Sequence, residues 1–200
     1  MSVKFNVKEA IKIYTELGGK TKFPNSLKDV LKYMQKDQNL FTKSNVAYLL
    51  ATAKKESDYN LQRWEADYSC GSYGLPYLEE PCKVALDYYR STRGNKKNYY
   101  TLGTDKRGLP YFGRGLIQLT GESNYKKYGD IIGVDLVGEP DYALKPKNSY
   151  NIASEYFVAK NVFDNAEIGN LTQARKKVNG GTRGLDDVNG STNSSQAAAP

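Results

Sequence analysis

The chain has 200 residues, with 29 lysines and arginines against 22 acidic residues, a formal net charge of +7 and 39% hydrophobic residues. No apolar run approaches bilayer-spanning length, so the sequence reads as a soluble globular protein with enough residues for one sizeable core and no stable membrane insertion. Histidine is absent and the cysteines are Cys70 and Cys82 alone, which excludes His-built zinc sites, all-cysteine zinc sites, Ser-His-Asp triads and Cys-His nucleophiles. Catalysis is left to carboxylates, lysines, tyrosines and hydroxyls, and no metal or cofactor is expected.

In chain order, "VKEAIKIYTELGG" places Val7, Ala10, Ile11, Tyr14 and Leu17 on one helical stripe, with Gly18 and Gly19 as its stop. "NSLKDVLKYMQK" pairs Ser26 with Asp29 in the manner of a capping box and carries Leu27, Val30, Leu31 and Met34 on its stripe. A third helix is expected from Ser44 or Asn45, with Val46, Leu49, Leu50 and Ala53 inward. Further helices are expected from Pro81, from Asn148 through "NSYNIASEYFVAKNVF", and over "LTQARKKV". Residues 57–80 and 93–113 are rich in Gly, Pro, Tyr and Ser and are too long for simple connectors, which marks them as functional loops. Residues 1–188 are expected to form a single mainly α domain, with 57–113 a candidate small lobe, and 189–200 a disordered tail without large apolar residues.

The third helix ends in "ATAKKESDYN", where a carboxylate falls on the apolar side. At about 100° per residue Glu56 lies only about 20° from Leu49, and it follows Ala53 by one turn. Desolvation favours the protonated form of a carboxylate, which a general acid near neutral pH requires; Lys54 and Lys55 oppose it by charge. The bland alternative is a helix-end residue that reaches water. "SDYN" is turn chemistry, so the chain can return and present Glu65, in "LQRWEADYS", across a cleft from Glu56. Two facing carboxylates are the arrangement of glycoside hydrolysis, with a separation of roughly 6.5–9.5 Å where one activates water in an inverting reaction.

"YFGRGLIQLTGESNYKKYG", residues 111–129, resembles the signature of family 19 glycoside hydrolases, the chitinase-like fold that includes many phage endolysins; the matching positions are Gly113, Arg114, Gly115, Ile117, Gln118, Leu119, Thr120, Asn124 and Tyr125. "LLATAKKES" resembles the helix ending in the family's catalytic glutamate, and "ARKKVNGGTRGLDD" its Asn-Gly-Gly segment at Asn179, Gly180 and Gly181. The resemblance implies a lysozyme-like helical fold with the two long loops flanking a substrate groove. It implies that Glu56 is the general acid and Glu65 the general base, with Ser69 helping to hold the attacking water. Gln118, Asn124, Tyr125 and Asn179 would contact substrate, and Arg114 would be structural or pair with an acid such as Glu65. Trp64 either stacks on a sugar or belongs to the core, and Asn179-Gly180-Gly181 can also be read as a turn. The chain departs from the family pattern at Lys55, where histidine is usual, in "ESDY" after the acid, and at Glu122, which leaves a spare carboxylate near the groove.

The expected function is therefore cleavage of glycan-strand bonds in bacterial peptidoglycan, whose carboxylate-bearing arms suit a basic protein; neutral chitin is the alternative, and a non-catalytic glycan-binding module a third reading. Nucleic acid is not an expected partner, and a monomer is. No secretory leader is visible in "MSVKFNVKEAIKIY". Such an enzyme would be made in a host cytoplasm and reach the wall through a holin pore or with a virion.

Overall fold

In the computed structural model the described residues are 5–16, 18–40, 42–62, 103–107 and 110–190. The helix expected from Pro81, both cysteines, most of the two long loops and the last ten residues lie outside them. Among the described residues the regular structure is helical, with isolated bridges pairing Thr104 with Pro110 and Arg114 with Leu119. The chain divides into two compact units, one of residues 1–59 and 153–200, the other of residues 60–152.

In the first unit, α1 (Val7–Glu16), α2 (Pro24–Met34) and α3 (Lys43–Ser57) fall where apolar stripes are expected, though no residue of α1 is buried and Leu50 of α3 is only half-buried; α6 (Val162–Glu167) and α7 (Leu171–Asn179) follow later in the chain. Leu27, Val30, Leu31 and Met34 of α2 are all buried. Its start differs from the expectation: Pro24 opens the helix with Phe23 as N-cap and no side-chain cap. A proline preset near helical φ starts a helix without using Ser26. At α3, the Thr42 hydroxyl accepts from the Asn45 amide at 3.2 Å, so the helix begins just ahead of the expected residues. α3 packs on α6, and α6 on α7. Tyr48, Leu49, Phe157, Phe163 and Ala174 fill the space between, the Phe157 and Phe163 rings standing 5.3 Å apart. The run expected as one helix from Asn148 to Phe163 is two. α5 (Pro146–Ala159), which crosses the division between units, stops before Asn161, whose left-handed φ of 52° caps the start of α6.

The second unit contains α4 (Glu122–Ile132) and a 3-10 turn over Pro140–Leu144. Its core is aromatic, with Tyr111, Phe112, Tyr125 and Tyr128 buried around Leu116 and Leu144. The Gly-Arg-Gly segment packs through its second glycine. Gly115 has φ +74°, and a Cβ there would stand 2.5 Å from Ser149 Oγ and 2.9 Å from the Ala143 carbonyl. The Ser149 hydroxyl in turn accepts from the Leu116 amide at 2.7 Å. Gly115→Ala should therefore lower the thermal midpoint by several degrees, since the left-handed backbone alone costs about 1–2 kcal/mol; an unchanged melting curve would mean the turn relaxes freely.

Candidate active site

α3 remains helical through Ser57, so Glu56 stands in its last turn, half-buried, with its side chain 22% exposed. The helix is then ended by two successive left-handed residues, Asp58 (φ 53°) and Tyr59 (φ 64°). These are costly conformations for residues with a Cβ, and side chains hold them. The Asp58 carboxylate accepts from the Lys22 amide at 2.9 Å and pairs with Lys54. The Thr21 hydroxyl donates to the Asp58 carbonyl at 3.0 Å. The turn chemistry read from "SDYN" thus fixes the place where the chain leaves the acid.

The sequence reading missed a charged partner of Glu56. Arg175 of α7, whose side chain is 3% exposed, donates from Nη1 to Glu56 Oε1 at 2.7 Å. Its Nε donates to the Arg183 carbonyl at 2.9 Å, so the guanidinium is held at two edges. Two tyrosines flank the pair. Burial pushes the Tyr48 hydroxyl up to about 12, with Arg175 acting against the shift and Glu56 adding slightly to it. Tyr156 is also raised, first by burial and then by the Glu56 charge, and its hydroxyl reaches the Lys177 and Val178 carbonyls of α7 at 3.4 and 3.3 Å. A half-buried carboxylate in a helix end, aimed by an arginine and backed by neutral phenols, can hold or release a proton in one orientation.

Arg114 and Tyr125 are buried and bonded to each other. Arg114 is buried, and its Nε donates to Asp141 Oδ1 at 3.0 Å while Nη1 donates to the Tyr125 hydroxyl at 2.9 Å. Among the described residues its acid partner is Asp141, while Glu65, the acid named from the sequence, lies outside them. Asp141 also accepts from Arg107 at 2.9 Å, and Arg107 pairs with the buried Asp105 at 2.7 Å, giving an alternating chain of four charges. Tyr125, expected to line the groove, is fully buried and donates its hydroxyl to the Phe112 carbonyl at 2.7 Å. A tyrosine bonded this way braces the Gly-Arg-Gly turn.

Gln118 and Asn124 are half-buried. Gln118 Nε2 donates to the Gly115 carbonyl at 2.9 Å, and Asn124 Nδ2 to the Thr120 carbonyl at 2.7 Å. Glu122 opens α4, packed so closely by Gly103 that a Cβ at that glycine would stand 2.2 Å from its Oε2. Asn179 forms a turn, its Oδ1 accepting from the Gly181 amide and its Nδ2 donating to the Arg183 carbonyl, each at 2.9 Å. Trp64, Glu65 and Ser69 lie outside the described residues.

Residues 41–166, more than half of the chain, match the family described as Chitinase class I, glycoside hydrolase family 19. The chain belongs to glycoside hydrolase family 19. This family 19 chain is 31% identical over 113 residues to a glycosyl hydrolase family 19 domain-containing protein of Haemophilus influenzae, covering 56% of the chain and 51% of that relative. It is 66% identical over 32 residues to Chitinase 8 of Oryza sativa subsp. japonica, covering 16% of the chain and 12% of that protein. The chain thus spans about half the length, or less, of these curated relatives. Its fold is similar to that of chitinase C from Streptomyces griseus HUT6037, with a TM-score of 0.58 at 18% identity over 96% of this chain and 92% of the other. The family and the mainly helical fold expected from the Gly113–Tyr125 motif are both borne out. Glu56, Arg114, Gln118 and Asn124 fall within the family 19 match, whereas Arg175 and Asn179 lie beyond its end.

Proposed function

We propose that this family 19 chain is a glycosidase that cleaves the glycan strands of bacterial peptidoglycan by an inverting, two-carboxylate reaction, as an endolysin-type enzyme acting alone on the wall. The observation that carries the catalytic part is the Glu56 carboxylate, half-buried at the end of α3 and held by Arg175 at 2.7 Å. In this reading Glu56 protonates the leaving glycosidic oxygen, Glu65 takes a proton from the attacking water, and Ser69 helps to hold that water. A protonated carboxyl keeps one accepting and one donating oxygen. Arg175 can therefore remain bonded to Glu56 while the acid gives up its proton, and it then balances the carboxylate that forms. Gln118 and Asn124 are assigned to the sugar groove.

The net charge of +7 favours peptidoglycan, because its peptide arms carry carboxylates that a basic surface attracts. Chitin is the second reading, favoured by the relatives and the solved structure that bear the name chitinase. Production in a host cytoplasm with release through a holin, or delivery with a virion, belongs to the same proposal. Digestion of purified peptidoglycan and of chitin hexasaccharide, followed by mass spectrometry and anomer-resolved NMR, separates the readings. Expected are muropeptides with a new reducing-end sugar, first released as the inverted anomer. Release from chitin alone would move the assignment to chitinase, and release from neither would leave a glycan-binding protein.

A further inference from the structure

We propose that residues 179–187 form a positioning segment for Glu56, in which Asn179 and Asp187 act through Arg175 and Lys55 and do not touch substrate. The inference rests on the reading of Glu56 as the acid. Guanidinium donors lie in a rigid planar fork, so two bonds on different edges fix the direction of every N–H. For Arg175 those bonds are Nη1 to Glu56 and Nε to the Arg183 carbonyl, at 2.7 and 2.9 Å. The position of that one carbonyl therefore decides where Nη1 points.

Asn179 places the carbonyl. Its Nδ2 donates to the same Arg183 oxygen at 2.9 Å, while its Oδ1 accepts from the Gly181 amide at 2.9 Å. Both ends of the amide are thus engaged inside the turn that follows α7, which Gly180 enters with φ 75°. Further along, Gly184 (φ +74°) brings the backbone against the acid helix and its arginine together. A Cβ there would stand 2.6 Å from Lys55 Cε and 3.5 Å from Arg175 Nη2. Asp187 closes the segment by pairing with Lys55, whose ammonium holds the Asp187 carboxyl below its ordinary range. The ion pair gives Lys55 a defined role beside the acid. It ties the residue beside the acid to the far end of the segment.

The test uses the full chain with solubilised peptidoglycan strands and chitin hexasaccharide as substrates. Asn179→Ala is expected to lower kcat about ten- to a hundredfold, the scale of small misplacements of a reacting group, with KM and the far-ultraviolet circular dichroism unchanged. Asp187→Ala should lower kcat more mildly, and Asp187→Glu should restore it. In carbon-13 spectra of glutamate-labelled protein, the Glu56 carboxyl signal, identified by its loss in Glu56→Gln, should move in Asn179→Ala. A raised KM at constant kcat would make Asn179 a substrate contact and overturn the proposal, as would an unmoved Glu56 signal. If the unsubstituted chain cleaves neither glycan, the catalytic reading falls, while the Glu56 signal still decides whether the segment sets the carboxylate.

Discussion

Glu56→Gln is expected to reduce glycan cleavage by about 10²–10⁴-fold, the usual contribution of a positioned general acid, with the helical circular dichroism of the parent. Glutamine keeps the shape of the side chain, and its Oε1 can still accept the Arg175 Nη1–H that now spans 2.7 Å. It has no proton to give to a leaving oxygen. The change also leaves Arg175, 3% exposed, without its opposite charge, so a modest fall in thermal midpoint should accompany the lost activity. Arg175→Lys separates the two effects: it keeps a positive charge but cannot hold two fixed edges, and turnover should fall while the midpoint moves less than in Arg175→Ala. Full activity of Glu56→Gln in a reducing-sugar assay would remove the residue from the mechanism and direct attention to Glu65 and Glu122.

The largest stability effect is expected at Asp141. This carboxylate, 14% exposed in its side chain, sits between Arg114 at 3.0 Å and Arg107 at 2.9 Å. Arg114 is fully enclosed and its guanidinium lies 4.2 Å from the centre of the Phe112 ring, so it cannot swing out to water. Removing one member of a buried ion pair costs about 3–5 kcal/mol, because the remaining charge is left uncompensated. Asp141→Ala should accordingly lose that amount in a urea titration, and Asp141→Asn, which keeps an accepting oxygen, should lose less. A double variant, Arg114→Met with Asp141→Ala, should recover part of the loss. If Asp141→Ala unfolds at the parent's midpoint, the alternating charges at 105, 107, 114 and 141 are not what holds the Gly-Arg-Gly turn.

The sequence showed its apolar helices well because their stripes are built from Leu, Val, Ile and Met, as in α2. It hid α4, whose inward residues are Tyr125, Tyr128 and Gly129, since tyrosine and glycine do not stand out in a hydrophobic pattern. Glu56 was legible as a charge inside an apolar stripe. Arg175 carries the same mark, sitting between Leu171 and Val178 on the inward side of α7 beside the buried Ala174. It was concealed by Lys176 and Lys177, which make the segment look like an ordinary solvated basic helix. Tyr125 shows the other side: it is a motif position expected as a ligand contact, and its hydroxyl is bonded to Arg114 and to the Phe112 carbonyl. Motif order reports which residues a fold needs, and only the packing tells which of them face a ligand.

Glu56 and Arg175 are 119 residues apart, and the unit that contains them is assembled from residues 1–59 and 153–200. Their meeting closes a long loop, and such distant contacts are slow to form and come late in folding. On the ribosome the acid emerges first, and its arginine follows 119 residues later. A nascent chain stalled anywhere before residue 175 carries Glu56 without Arg175, so the 2.7 Å bond between them waits until that arginine has been made. If Glu56 is the acid proposed above, the order in which the residues are made sets when that acid can be aimed.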